Sequence, residues 1–132
     1  MRAKSALTSA DAHKIVNACK AEAAKNGWKV CIAVADDSGT LLHFERGDGA
    51  SPMSVHSSLG KAQTCGMLRV PSGMLSDLVS TMPGTIKLPG IPIQGGLPLM
   101  YQGECVGGVG VSGVEAHEDE QVAAAGVAAI AG

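Results

Sequence analysis

Aromatic side chains, charge and long apolar runs are all scarce in this sequence. It holds one Trp, one Tyr and one Phe among 132 residues, and Asp, Glu, Lys and Arg together make up 17%, against about 25% in an average globular protein. The net charge is −2 and the basic residues are scattered, so neither a basic stripe nor an aromatic platform for nucleic acid is present. No apolar run approaches the ~20 residues of a membrane span. Nucleic-acid and membrane partners are therefore not expected.

Paired cysteine motifs are also missing. Cys19, Cys31, Cys65 and Cys105 lie far apart and show no C-x-x-C spacing, so we expect buried, reduced thiols rather than disulfides or a structural zinc site. The basic N-terminus is not followed by the apolar core of a secretory signal. Together these features predict a cytoplasmic protein.

Small residues are abundant instead, and they point to self-association. Hydrophobic residues make up 45% of the chain, and there are 18 Gly. A chain of 132 residues has room for one core, so we assign 1–132 to a single domain. Because few charges are available to cover a monomer, we expect part of the surface to be covered by further copies of the chain.

The predicted elements follow the order helix, β-hairpin, helix, short helix, β-hairpin, helix, which indicates an α+β domain with an antiparallel sheet. The first helix begins at Thr8 or Ser9 and ends at Asn26-Gly27. Its apolar stripe consists of Ala12, Ile15, Val16, Cys19 and Ala23. Strands are predicted over 28–35, 40–45, 97–101 and 104–111. The other helices are predicted to begin at Ser51-Pro52 and to cover 72–81 and 117–131.

Glycines inside two of these elements predict close packing. Gly60 and Gly66 interrupt the second helix, whose inner stripe we assign to Val55, Leu59 and Ala62. Each glycine costs about 1 kcal/mol relative to Ala, so we expect a close approach to another backbone or to a ligand. The strand over 106–111 alternates Val with Gly, which indicates that something packs against its bare backbone.

Histidines and nearby basic residues are the first candidates for chemistry. His56 and Lys61 are five residues apart, about 140° around the second helix, so they do not share a face. His56 with Lys61 or Arg69 could bind an anionic group or ligate a metal. His13 on the first helix is a second candidate ligand. For each histidine the alternative is an ordinary solvated or core side chain.

The glycine-rich end of the last strand is a further candidate. Gly110, Ser112 and Gly113 lead into a helix with Asp119 near its start, and such a junction leaves backbone N–H groups free to bind a ligand. The P-loop pattern is absent. The alternative is a tight turn in which Ser112 or Glu115 caps the helix.

Several segments in a fixed order cover almost the whole chain. They are the leading helix, 30–36 running into Asp37-Ser38-Gly39, 61–65 with Arg69 downstream, Gly95-Gly96-Leu97-Pro98, and 107–113 followed by Asp119. In combination they resemble the GlcG/HbpS-like family, also called haem-degrading-domain proteins, which includes the C-terminal domain of PduO-type proteins.

The resemblance implies a profilin-like or PAS-like fold with about five antiparallel strands, and commonly an octamer. For some members it implies binding of haem or a related tetrapyrrole. The residues predicted to bind ligand are Lys61, Arg69, Gly95, Gly96, Pro98, Gly110, Ser112, Gly113 and Asp119. With three aromatics in the chain, a haem pocket would have to be lined by Met, Leu and Val.

Three functions are open at this point. The first is a homo-oligomer that binds haem or another small anionic ligand, with His56 or His13 as the iron ligand and Lys61 or Arg69 pairing with carboxylates. The second is a small catabolic enzyme of the isomerase, tautomerase or hydratase type. It would act on an unsaturated organic acid with His56 as general base. The third is an accessory scaffold without chemistry.

Overall fold

One antiparallel sheet of four strands, in the order β2-β1-β4-β3, organises the computed structural model, which describes residues 1–131. The elements in chain order are α1 (Ser9–Asn26), β1 (Cys31–Asp36), β2 (Leu41–Arg46), α2 (Pro52–Leu68), α3 (Ser72–Thr81), a 3-10 helix (Pro83–Lys87), β3 (Gly96–Tyr101), β4 (Glu104–Ser112) and α4 (Ala116–Ala129). The predicted α+β architecture with flanking helices is confirmed. None of the helices in residues 1–131 is both long and apolar enough to cross a membrane.

The strand count differs from the five that the family resemblance implied, because the described residues form four. The long connection from α3 to β3 contains Pro83, Gly84, Pro89, Gly90 and Pro92, and it forms the 3-10 helix and turns. Proline has no N–H for a strand ladder and its φ is fixed, so this connection does not add a strand.

Helices α1 and α4 cover one face of the sheet and build the main core with it. The predicted stripe of α1 is confirmed, since all five of its residues are buried. Thr8 and Asp11 form a capping box, in which each side chain accepts the other's backbone N–H. After Gly27 the Trp28 N–H still donates to Ala23 O at 2.9 Å. This cap occupies the start of the predicted strand, and β1 therefore begins at Cys31.

Helix α2 lies on the opposite face, directly on β1 and β4. Ala33 and Ala35 of β1 face it and pack against Ala62. A Cβ on Gly108 or Gly110 of β4 would overlap backbone atoms of α2. The prediction that something packs against the bare backbone of this strand is therefore confirmed, and the partner is α2.

The buried face of α2 consists largely of small residues, and the predicted inner stripe is wrong at two positions. Val55 and Leu59 are only half-buried, whereas Ser54, Ser58 and Ala62 are buried. A surface of Ala and Gly brings the helix so close to the sheet that only small side chains fit between them.

The two glycines inside α2 both mark close approaches, but only Gly66 meets another backbone as predicted. A Cβ on Gly66 would lie 2.5 Å from the carbonyl oxygen of Asp36, which is a backbone contact with β1. Gly60 instead receives the side chain of Ile91, from the connection that leads into β3.

Candidate functional site

A buried ion pair joins α2 to α4 at one end of the sheet. The Lys61 side chain is 3% exposed, and its Nζ donates to Val111 O at 2.9 Å and to Asp119 Oδ2 at 3.2 Å. Asp119 Oδ1 accepts the Val114 N–H at 3.1 Å. A Cβ on Gly95 would lie 2.5 Å from Lys61 Nζ, so the lysine reaches Asp119 only because residue 95 is glycine.

Burial dominates the electrostatics of this pair. It raises the pKa of the Asp119 carboxyl, while the Lys61 ammonium and the Val114 N–H oppose that shift. Both charges already have protein partners, and neither faces solvent in the single chain. Ligand binding by Lys61 and Asp119 stays a prediction, and their observed contacts are those of a structural pair.

Three of the glycines predicted to bind ligand, Gly95, Gly96 and Gly110, lie beside Lys61, but protein fills the space next to them. Gly96 and Gly110 are paired across β3 and β4. A Cβ on Gly96 would lie 2.8 Å from Lys61 O and 2.9 Å from Cys65 Sγ, and one on Gly113 would lie 2.9 Å from Val30 Cα. These positions let α2 and the strands approach closely, and their role in ligand binding stays a prediction.

The remaining predicted ligand residues are dispersed. Ser112 is half-buried at the end of β4, and Glu115 rather than Ser112 caps α4. Pro98 is half-buried on β3. Arg69 ends α2 in the left-handed conformation (φ 62°) and lines a cavity of about 160 Å³ with Cys105. The structure therefore does not bring Arg69 together with Lys61.

His56 is exposed on α2, one turn before Gly60. Residues four apart lie on the same side of a helix, and Gly60 is where the Ile91 side chain packs. Ile91 is fixed there because its N–H donates to Thr64 Oγ1 at 2.8 Å. His56 is thus about one helical turn from the point where the connection to β3 crosses α2.

The same connection, with α3, carries a set of exposed apolar side chains that the sequence reading missed. They are between 39% and 58% exposed, and we call them the α3 face: Met74, Leu78, Met82, Ile86, Leu88 and Ile93. The available signal was the high frequency of Met, Leu and Ile in a segment rich in Pro and Gly. An apolar group of this kind usually marks a binding or association surface.

A second cavity not predicted from the sequence has a volume of about 440 Å³. It lies between the N-terminal segment, α1 and the β3–β4 hairpin, and its lining includes Leu7, Lys14, Tyr101, Val106 and Ile130. Among residues 1–131, no group of three or more His, Cys, Asp or Glu side chains is placed to hold a metal ion.

The four cysteines are free thiols, as predicted. Cys19, Cys31 and Cys65 are buried and Cys105 is half-buried. Burial raises the pKa of the Cys19 and Cys65 thiols to about 12, and a thiol that stays protonated is a poor nucleophile.

Residues 7–128 match the family model described as haem degrading protein HbpS-like. The chain belongs to the HbpS-like family.

Two relatives support the same assignment. This HbpS-like chain is 36% identical to Protein GlcG of Escherichia coli (strain K12) over 116 residues, which cover 85% of each chain. It is 33% identical over 126 residues to an uncharacterized 15.0 kDa protein from the dhaT-dhaS intergenic region of Citrobacter freundii, covering 89% of this chain and 87% of that protein.

Solved structures resemble the HbpS-like chain along nearly its whole length. A double mutant of Streptomyces reticuli HbpS is 35% identical with a TM-score of 0.91, covering 97% of this chain and 89% of that one. The structure described as a PduOC:heme complex is 26% identical with a TM-score of 0.87, covering 96% of both chains.

Proposed function

We propose that this chain binds haem, or a related planar tetrapyrrole, on the α3 face, and that a second copy of the chain covers the bound ligand. The observation that carries the proposal is the α3 face itself. Within residues 1–131, six of the twelve exposed large apolar side chains lie on the segment 74–93. The structural likeness to the PduOC:heme complex supports the choice of ligand.

The residues present fit the chemistry of haem. A haem site needs apolar walls, an iron ligand and a cation for the propionates. The α3 face supplies Met, Leu and Ile side chains, His56 lies about one turn from the adjoining connection, and Lys87 follows Ile86 in the 3-10 helix. Bound haem would supply a redox-active iron, while these side chains would bind, orient and shield it.

Self-association follows from the same surface. An exposed apolar group of this size is costly in water, and the low charge of the chain favours covering it with a further copy. We propose a homo-oligomer, and an octamer is the form expected from the family resemblance. A cytoplasmic location also stays a prediction and agrees with four free thiols.

Titration of the tag-free protein with hemin tests the ligand. The wild type should show a saturable, stoichiometric Soret shift, and His56→Ala should lose it because the iron ligand is removed. His117→Ala is the matched control, since His117 is also an exposed helical histidine but lies on α4. If His56→Ala keeps the Soret shift and His13→Ala loses it, the iron ligand is His13 on α1.

Absence of saturable hemin binding to the wild type would overturn the proposal. The catalytic alternative, with His56 as general base on an unsaturated organic acid, would then be tested by turnover with and without His56→Ala.

A separate variant tests the role of the α3 face in assembly. Met82→Asp combined with Ile86→Asp should shift the protein from oligomer to monomer in sedimentation velocity, because two charges would have to be buried in the interface. Met100→Asp is the control, as Met100 is an exposed apolar residue outside this face. An unchanged sedimentation coefficient in the double variant would show that another surface holds the oligomer together.

A further inference from the structure

Two histidines from different elements meet on the side of the domain that carries α1. His13 of α1 and His43 of β2 have ring centroids 4.2 Å apart, with the ring planes inclined at 68°. His13 is exposed and His43 is half-buried. Within residues 1–131, no buried side-chain nitrogen lacks a hydrogen-bond partner, and neither imidazole is hydrogen-bonded to protein, so the ring nitrogens are accessible to solvent.

The backbone places both histidines between α1 and β2. His43 pairs with Val34 of β1, and Val34 belongs to the core beneath α1, so His43 lies on the face of the sheet that α1 covers. Two residues further along β2, Glu45 forms a 2.8 Å salt bridge with Lys20. Lys20 is two helical turns after His13, so both contacts belong to one seam between α1 and β2.

This arrangement suits a metal ion. Neutral imidazole is the commonest metal ligand in proteins, and it suits zinc, copper and nickel. Metal–nitrogen distances are about 2.0–2.1 Å, so the two rings must leave their edge-to-face contact and move slightly apart before one ion can contact a nitrogen of each. The neighbouring Lys20 and Glu45 neutralise each other and do not repel a cation.

We propose that His13 and His43 form a two-histidine site for a divalent transition-metal ion, with water in the remaining coordination positions. The site is independent of the proposed haem site, because it lies at the α1–β2 seam and uses neither His56 nor the α3 face. Its open positions make it a site of exchangeable metal, since structural metal sites are closed by four protein ligands.

Calorimetric titration of haem-free, tag-free protein with Ni²⁺ tests the proposal. The wild type should bind one Ni²⁺ per chain. Mutating a group that only hydrogen-bonds to a metal ligand typically lowers metal affinity about 10–100-fold. Removing one of the two ligands themselves should therefore lower Ni²⁺ affinity at least about tenfold. His13→Ala and His43→Gln should both show this loss. His56→Ala and His117→Ala should bind as the wild type does, because neither ring contacts a second imidazole.

Thermal unfolding gives a second readout. Ni²⁺ should raise the Tm of the wild type by mass action and leave that of His13→Ala unchanged. His13 is exposed, so this variant should fold even if His43→Gln does not. Absence of saturable binding to the wild type, or unchanged affinity in His13→Ala, would overturn the proposal.

Discussion

Replacing Lys61 with Met should lower the free energy of unfolding by about 3–5 kcal/mol, the usual cost of removing one partner from a buried ion pair. The variant would leave the Asp119 carboxylate buried with only the Val114 N–H to satisfy it. Val111 O would lose its bond to Nζ as well. Urea unfolding measures the loss, and the fluorescence of the single Trp28 reports it.

The matched control is the same substitution at an exposed ion pair. Lys20→Met removes the salt bridge to Glu45, whose two side chains are 48% and 38% exposed. Such pairs contribute about 0–1 kcal/mol, so this variant should unfold close to the wild type. Equal losses in the two lysine variants would contradict the structural role assigned to Lys61.

The free energy of unfolding that Lys61→Met loses should also depend on pH. Burial raises the pKa of Asp119 above its ordinary value of 3.8 in spite of Lys61, and removal of the ammonium should raise it further. The folded variant therefore holds the Asp119 proton more tightly than its unfolded chain does. Its stability relative to the wild type should be best in acid and should fall as pH rises through the interval between the Asp119 pKa of the folded wild type and the higher pKa of the folded variant.

Neutralising Asp119 should recover part of the free energy of unfolding that Lys61→Met loses. In Lys61→Met/Asp119→Asn the buried charge is gone, while an amide oxygen can still accept the Val114 N–H. The double variant should be more stable than Lys61→Met at neutral pH. If the two substitutions add as independent losses, the pair is not coupled and this account of it is wrong.

Gly110→Ala should destabilise the fold by about 3 kcal/mol or more, at or above the usual 1–3 kcal/mol of overpacking. The new Cβ would overlap Ser58 O and Ala62 N, which are backbone atoms of α2. Backbone cannot rotate away as a flexible side chain can, so the whole helix must move off the sheet. The Lys61 bonds at the same end of β4 would be strained by that movement.

Gly84→Ala is the control for this substitution. A Cβ at Gly84 would have no neighbour within 4 Å, so the free energy of unfolding should stay within about 0.5 kcal/mol of the wild type, as for most surface changes. Urea unfolding of the three proteins side by side measures the difference. A Gly110→Ala protein as stable as the Gly84→Ala control would mean that α2 is not held as close to β4 as described.

Local periodicity was enough to predict much of the fold. The three- and four-residue spacing from Ala12 to Ala23 identified the buried side of α1, because a long regular helix buries one stripe. The alternation of Val with Gly in β4 likewise predicted close packing on its bare backbone, although it did not identify α2 as the partner.

The same approach failed where the contact surface is made of small residues. On α2 the apolar pattern pointed to Val55 and Leu59, but the helix buries Ser54 and Ser58. Hydrophobic periodicity finds faces that bury large apolar groups. A helix face that packs closely against Ala and Gly must instead carry small side chains. Hydrophobic periodicity does not detect side-chain size.

The sequence by itself determined the α+β element order, the free thiols and the glycine positions that permit close approach. It also carried the segments that mark the family. Only the tertiary structure decided that Lys61 pairs with Asp119, that α2 fills the space beside the glycines, and that His13 meets His43. Lys61 and Asp119 are 58 residues apart, and partners so distant are chosen by the packing of whole elements, which no local pattern records.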